Sequence, residues 1–396
     1  MTDRMNMLDK AWASAREPGL PWAAEEYELL RDQVRRFVDE EIKPRADHWE
    51  DDGSIPRPIL RRMGELGFFG IRYPAAYGGA DMDAVASTVF AEELGRSTYG
   101  GVADAILVHA EMASLYVFND GTKAQRERWM PSIISGEVIT AVAITEPDAG
   151  SDVKAIRTRA LRDGDSYVLD GTKLYITNGV HADLYCVAAK TDPSAGSNGI
   201  TMFLVEKGTP GFSVAREVDK LGWRSSDTAE LVFDGCRIPA ENVLGAEAQG
   251  FYSIMRNFQN ERLVLAAMAI GMAEAAIDVT LSYVKTRRAF GGALWDMQAI
   301  RQRIAMLSAK VEAGRAFLYA TAWRMDADDD RLRETSMLKA LCGELVNEVL
   351  YACVQFHGAM GVMRGSPIER IARDARILSI AGGATEVMLE VVASTS

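Results

Sequence analysis

The spacing of apolar residues divides the chain into three stretches. Between residues 24 and 136 the period is helical. Leu29, Leu30, Val34, Phe37 and Val38 recur at helical intervals over Glu25 to Glu41, and Pro44 ends the run. Ile59 to Leu66, Ala84 to Gly95 and Val102 to Phe118 repeat the pattern, and a short polar helix is predicted at Lys123 to Trp129. Near Gly136 the period changes. Apolar, β-rich runs appear at Val138 to Ile144, Tyr167 to Leu169, Leu174 to Thr177, Leu184 to Ala189, Ile200 to Val205, Phe212 to Val214 and Glu230 to Phe233. Asp170-Gly171 reads as a hairpin turn between two of them. Short strands at this spacing predict a compact β-barrel or sandwich. From Gly250 the helical period returns. Phe251 to Arg288 has no proline and one internal glycine, Gly271, so one unusually long helix is predicted. Ile300 to Arg324, Leu332 to Phe356 and Pro367 to Arg376 follow. The fold class is therefore α+β: an N-terminal helical domain over 1–136, a middle β-domain over 137–245 and a C-terminal helical bundle over 246–396.

Composition narrows the function classes. Among 396 residues, 44 Lys and Arg face 56 Asp and Glu, a formal charge of −12. That balance argues against a nucleic-acid or anionic-membrane partner, though not against a local basic pocket. No run approaches about 20 consecutive apolar residues, so no membrane span is expected. Met1 to Pro18 has no apolar core and carries Asp3 and Asp9, against a secretory or mitochondrial leader, and a cytoplasmic location is expected. Cys186, Cys236, Cys342 and Cys353 form no CxxC pair and read as buried free thiols. His48, His109, His181 and His357 lack ligand spacing, so no metal site is expected. No GxGxxG follows a strand, so a Rossmann site is not indicated.

Several segments carry candidate chemistry. On the long helix, Ile254, Phe258, Glu261, Leu265, Met268 and Met272 share one stripe, apolar except for the carboxylate. A desolvated Glu261 would gain proton affinity, as a general base working near neutrality needs. The pattern equally allows an ion-paired Glu261, or a helix turned so that it meets water. Ile144-Thr-Glu-Pro-Asp-Ala-Gly-Ser-Asp152 leaves a strand for a turn of small residues. Its N–H groups with the Thr145 and Ser151 hydroxyls suit a polar cofactor edge, and equally a plain Pro/Gly turn. Tyr175 and Thr177 offer a flat ring beside a hydroxyl, for stacking or for core packing. Arg287-Arg-Ala-Phe-Gly-Gly292 ends the long helix, where cations complement the dipole or hold a diphosphate. Gln355-Phe-His-Gly358 and Ala381-Gly-Gly-Ala-Thr385 are glycine-marked loops that let a ligand approach the backbone.

Taken together, the chain resembles the acyl-CoA dehydrogenase family of flavoproteins. Ala143 to Asp152, Lys173-Leu-Tyr-Ile-Thr-Asn-Gly179, Ser226-Asp-Thr-Ala-Glu-Leu231, Arg287 to Gly291, Tyr351 to Gly358 and Arg373-Asp-Ala-Arg376 carry the resemblance, in family order. It implies a C-terminal four-helix bundle and FAD held between the β-domain and the C-terminal helices. Ile144, Thr145, Ser151, Tyr175 and Thr177 match flavin contacts. Arg287, Phe290 and Gln355 match positions that reach a neighbouring subunit's FAD, so a homo-oligomer, a dimer of dimers, is implied, and Gly358 is a further cofactor-binding candidate. Ser151, Arg262, Ala381 and Gly382 match substrate positions.

The family removes an α-proton from an acyl-CoA while hydride leaves the β-carbon for the flavin, and commonly passes electrons to an electron-transferring flavoprotein. Most members place the base in the loop position held here by Gly382, which has no side chain. A smaller set, including isovaleryl-CoA and long-chain dehydrogenases, uses a glutamate on the long helix, and Glu261 in Asn260-Glu-Arg-Leu-Val-Leu-Ala266 matches it. The Gly382 N–H remains a candidate donor to the thioester carbonyl. Ala384 and Ala359 depart from a frequent Thr and Gly. Small Ala381 and Gly382 imply room for a branched, bulky or longer acyl chain, with Ala103, His109 and Met112 near its tail. Competing readings are a carrier-protein thioester dehydrogenase, an oxygen-using oxidase, or an inactive subunit.

Overall fold

The computed structural model describes residues 21–325 and 331–395, so the leader reading for Met1 to Pro18 lies outside the described residues. Helix α1 (Glu25–Phe37) buries Tyr27, Leu30, Arg31, Val34 and Phe37, whereas Leu29 is exposed. α2 (Ala46–Asp52), not anticipated from the sequence, is a short turn closed by Gly53. α3 (Arg57–Glu65) follows. α4 (Ala84–Gly95) starts at Asp83, whose side chain accepts from the Ala86 N–H at 3.0 Å, and is buried on every face. α5 (Gly100–Asp120) includes a π-helical stretch at Val108–Ala113. α6 (Lys123–Ile134) opens with a capping box between Thr122 and Gln125.

The middle domain is one mixed sheet of eight strands: β1 (Thr140–Ala143), β2 (Arg159–Asp163), β3 (Ser166–Thr177), β4 (Leu184–Lys190), β5 (Ile200–Glu206), β6 (Phe212–Glu217), β7 (Thr228–Pro239) and β8 (Val243–Leu244). Their order is β6-β7-β3-β2-β4-β5-β8, with β1 parallel to β4. Three strand spacings separate β3 from β5, about 14 Å in a flat sheet. Yet the Tyr167 and Phe203 rings lie 5.1 Å apart. Tyr185 on β4 and Phe212 on β6 meet at 4.7 Å across four spacings. The sheet therefore curls over its own core. The hairpin expected at Asp170-Gly171 is absent. These residues sit inside β3, where the ladder with β7 slips register between Leu169 and Gly171. The turn lies earlier, at Gly164 between β2 and β3.

The C-terminal part comprises α7 (Gly250–Thr286), α8 (Gln298–Met325), α9 (Leu332–His357), α10 (Pro367–Ile377) and α11 (Thr385–Ser394), the last unforeseen. α7 has 37 residues, about 55 Å of helix. It stops at Thr286, short of the expected Arg288, and Arg288–Ala289 pairs with Gly292–Ala293 in a small hairpin. α5 and α7 are long and apolar enough to cross a membrane, but 94% and 83% of their apolar windows are buried inside this fold. That is how helices in a protein core behave. All four cysteines are free and buried, as expected.

α4 and α7 cross backbone to backbone. A Cβ on Gly271 would stand 2.0 Å from the Glu92 carbonyl oxygen, and one on Gly95 would stand 2.3 Å from that of Met268. Beside this crossing lies a buried ionic network. Glu92 receives Arg31 at 3.1 Å, Arg315 at 2.7 Å and the Tyr319 hydroxyl at 2.5 Å. Arg31 and Arg35 also grip Glu93, and Arg315 reaches Glu274 on α7 at 2.7 Å. Burial pushes the Glu92 carboxyl up, but Arg315 and Arg31 outweigh it and hold it below the usual carboxylate range. Its contribution to stability is therefore full above its ordinary value of 4.5 and is lost as the pH falls. Replacing Glu92 with Gln removes the charge on which Arg31 and Arg315 converge and leaves each with only its second carboxylate, Glu93 or Glu274. We expect a loss of roughly 3–5 kcal/mol in urea unfolding at neutral pH; a loss of a few tenths would show that the network does not hold the domains together.

Candidate active site

Glu261 sits where α7, α9 and the loop after α10 converge. Along its stripe Ile254, Leu265, Met268 and Met272 are buried, so the helix phase read from the sequence is the one adopted. Over the carboxylate runs the backbone of Gly382, at φ +65°. A Cβ there would stand 2.3 Å from Leu265 Cδ1 and 3.2 Å from Glu261 Oε1. The space for a side chain at 382 is thus taken by Leu265 and the carboxyl group of Glu261. The left-handed backbone suits glycine as well.

Among the described residues no hydrogen bond or ion pair engages the Glu261 carboxylate, which removes the ion-paired reading. Glu261 itself is half-buried, so part of it meets water, yet desolvation raises its proton affinity and pushes its pKa up to about 7, against the opposing charges of Arg262 and Lys339. Arg262 is buried and donates to Ser336 on α9 at 3.3 Å, so it lies behind the site rather than reaching out of it. Ala381 and Gly382 are half-buried. The Gly382 N–H donates to nothing among the described residues.

The segment Ile144 to Ser151 is shaped by a buried cation. Lys173, fully buried on β3, donates to the Ile144 carbonyl at 2.9 Å and to Glu146 at 2.8 Å. Glu146 also accepts the N–H groups of Arg157 and Thr158. The Leu174 N–H closes on the Thr145 carbonyl at 2.9 Å. Burial lowers the Lys173 pKa to about 8, against the Glu146 charge. With the backbone so fixed, the hydroxyls of Thr145 and exposed Ser151 stay unused among the described residues.

A register slip between Lys173 and Ile176 throws Tyr175 out of the ladder at φ +61°, leaving its ring 62% exposed. A strained backbone presenting a bare flat ring is not core packing. Thr177 bonds Asp104 at 3.2 Å. Flat ring, free hydroxyls and fixed amides on one rim fit a planar heterocycle with a polar edge. Phe251, Met255 and Phe258 of α7 pack on the same cluster as Ile144, Ala149 and Val153, and Phe258 lies about one turn from Glu261.

Arg287, Phe290, Gln355 and Gly358 are not brought to this rim. Arg287 lies 26 residues along α7 from Glu261, about 39 Å. These four lie toward the far end of the bundle, where Tyr283 stacks on His357 at 4.3 Å and Phe290 is 97% exposed. His109, expected near the acyl tail, is instead fixed by Thr140 at 3.0 Å and the Ile133 carbonyl at 3.2 Å. It lines a separate 190 Å³ cavity with Arg57, Ile139, Asn178 and His181. Ala103 and Met112 are buried in the helical core. Among the described residues no His, Cys, Asp or Glu cluster suits a metal ion.

The sequence reading missed Lys339, Asp104 and the role of Lys173. Lys339 was detectable by the argument used for Glu261, since Ser336, Lys339, Gly343 and Val346 share one buried face of α9. Asp104 similarly interrupts an apolar helix, and burial pushes its pKa up to about 7.

Comparisons with known proteins agree with this fold. Residues 24–137, 141–236 and 248–396 match the models of the acyl-CoA dehydrogenase N-terminal, middle and C-terminal domains. The mitochondrial long-chain specific acyl-CoA dehydrogenase of Mus musculus is 38% identical over 370 residues, 93% of this chain and 86% of that protein. The mitochondrial isovaleryl-CoA dehydrogenase of Pongo abelii is 36% identical over 368 residues, 92% of this chain and 87% of that one. The acyl-CoA dehydrogenase of Geobacillus kaustophilus superposes with a TM-score of 0.90 at 38% identity, covering 94% of this chain and 98% of that one. The chain belongs to the acyl-CoA dehydrogenase family of FAD-dependent oxidoreductases.

Proposed function

We propose that the chain oxidises an acyl-CoA thioester to its trans-2-enoyl-CoA, with Glu261 as the base that takes the α-proton. The observation that carries this reading is the meeting of Glu261 and Gly382. The helix supplies an unpaired carboxylate at the point where the loop withholds a side chain. With a pKa near 7 the carboxylate is strong enough to accept a proton and is still ionised at working pH. The free Gly382 N–H is the proposed donor to the thioester oxygen, where it would stabilise charge that develops as the α-proton leaves. Bound FAD supplies the hydride acceptor for the β-carbon. Ile144, Thr145, Ser151, Tyr175 and Thr177 would hold its flavin end.

Arg287, Phe290, Gln355 and Gly358 lie too far away to hold the same molecule from within one chain, so we assign them to the cofactor of a second copy in a homo-oligomer. The fit of a free aromatic and unused hydroxyls supports the first set, and the exposure of Phe290 supports the second. An electron-transferring flavoprotein is the proposed electron acceptor. The small residues Ala381 and Gly382 support a branched, bulky or longer acyl chain.

Glu261→Gln should slow anaerobic flavin bleaching by acyl-CoA by about 10²–10⁴-fold while FAD stays bound. Bleaching at the wild-type rate would remove Glu261 from the mechanism. Because only the ionised carboxylate accepts a proton, the wild-type rate should rise with pH through an apparent pKa near 7 and level off above it. A flat profile from pH 5 to 9, checked by stopped flow, would contradict that role. Across an acyl-CoA panel, 3-methyl-branched or long chains should bleach the flavin faster than butyryl-CoA; the reverse order would refute the pocket reading.

A further inference from the structure

The loop over Glu261 is held by a buried cation on a neighbouring helix. Lys339, on α9, is 1% exposed, and its ammonium donates to the carbonyl of Gly383. A carbonyl is one of the few partners that lets a buried ammonium keep its charge without forming an ion pair. The same loop is fixed at two further points. The Thr385 hydroxyl donates to Glu344 at 2.8 Å, and Gly343 lets the Leu378 carbonyl approach, since a Cβ there would be 2.9 Å from that oxygen. Lys339 is therefore the buried, charged fastening of the segment that carries Gly382 across the base.

Lys339 faces Glu261 without pairing with it. Glu261 meets Arg262 on its own helix, Lys339 from α9, and Asp104 and Tyr116 from α5. Lys339 in turn meets Glu261 and Arg262 from α7, Glu344 on its own helix and Glu386 from α11. Its hydrogen bond goes to the loop, so the lone pairs of Glu261 stay open for a substrate proton. We propose that Lys339 is a positioning residue: through the Gly383 carbonyl it holds the 381–384 backbone over Glu261, and its charge keeps that base ionised. The inference rests on reading Glu261 as the base. Burial lowers the Lys339 pKa to about 8, which leaves it a cation at neutral pH.

The test compares Lys339→Met, Lys339→Gln and Lys339→Arg with wild type and Glu261→Gln, all as FAD-loaded holoenzymes. Each is bleached anaerobically by the fastest of isovaleryl-, octanoyl- and palmitoyl-CoA over pH 5 to 9. Losing a nearby cation should move the acid limb up by about one unit in Met and Gln, a rate loss of about tenfold at pH 6. Arg keeps the charge and should leave the limb in place. Amide hydrogen exchange over 378–385 should quicken in Met and stay slow in Arg. An unmoved acid limb in either neutral variant, with FAD retained, overturns the proposal. So does failure of both neutral variants to hold FAD, since the lysine would then be holding the fold instead. If Glu261→Gln bleaches like wild type, the base assignment itself falls, and that result is separate from any behaviour of Lys339.

Discussion

The whole arrangement depends on the crossing of α4 and α7. Two carbonyl oxygens there occupy the places where side chains would begin, so the two backbones meet with no side chain between them. Glu92, one residue of that contact, is also the centre of the ionic network joining α1, α4 and α8. The crossing fixes α7 against the N-terminal helices ten residues beyond Glu261. A rigid helix turns that fixed point into a fixed position for the carboxylate. A base supported by a single loop would have far more freedom.

With Glu261 as the proposed base, one chemical role would have moved between segments. A loop and a helix meet at one point, and there is room for one carboxylate. Here the helix supplies it, and the loop contributes its backbone only. That division has a physical cost, because a glycine loop has little to hold it in place. The contacts of the loop with α9 at Lys339, Gly343 and Glu344 supply the restraint that a larger side chain would otherwise give.

What the sequence shows depends on how local the cause is. Periodicity located α4, α7 and α9 within a few residues, and it placed Glu261 on its buried stripe, because those features are set by neighbours three and four positions away. Asp170-Gly171 misled for the opposite reason. Its turn signal is real, but pairing with β7 over twelve residues of β3 outweighs it, and the glycine is absorbed in a bulge. The short α2 and α11 carry too little periodicity to be found without the surfaces on which they pack. Tyr175 was named for its ring, yet its exposure comes from a slip in a ladder whose partner strand lies more than fifty residues later. Lys339 shows in the periodicity as a charge on a buried face, but what it and Lys173 hold is set by carbonyl partners distant in sequence.

The order of strands has a consequence for the birth of the site. β1 pairs with β4, forty-four residues downstream, and β3 with β7, at a still greater distance. Such pairings close large loops before they gain contacts, which makes a sheet slow to form. Lys173 lies on β3, and only a closed sheet can bury it. The polypeptide that emerges from synthesis therefore has no shaped Ile144 segment to offer. The shape of that segment is thus a property of the closed sheet, not of its local sequence.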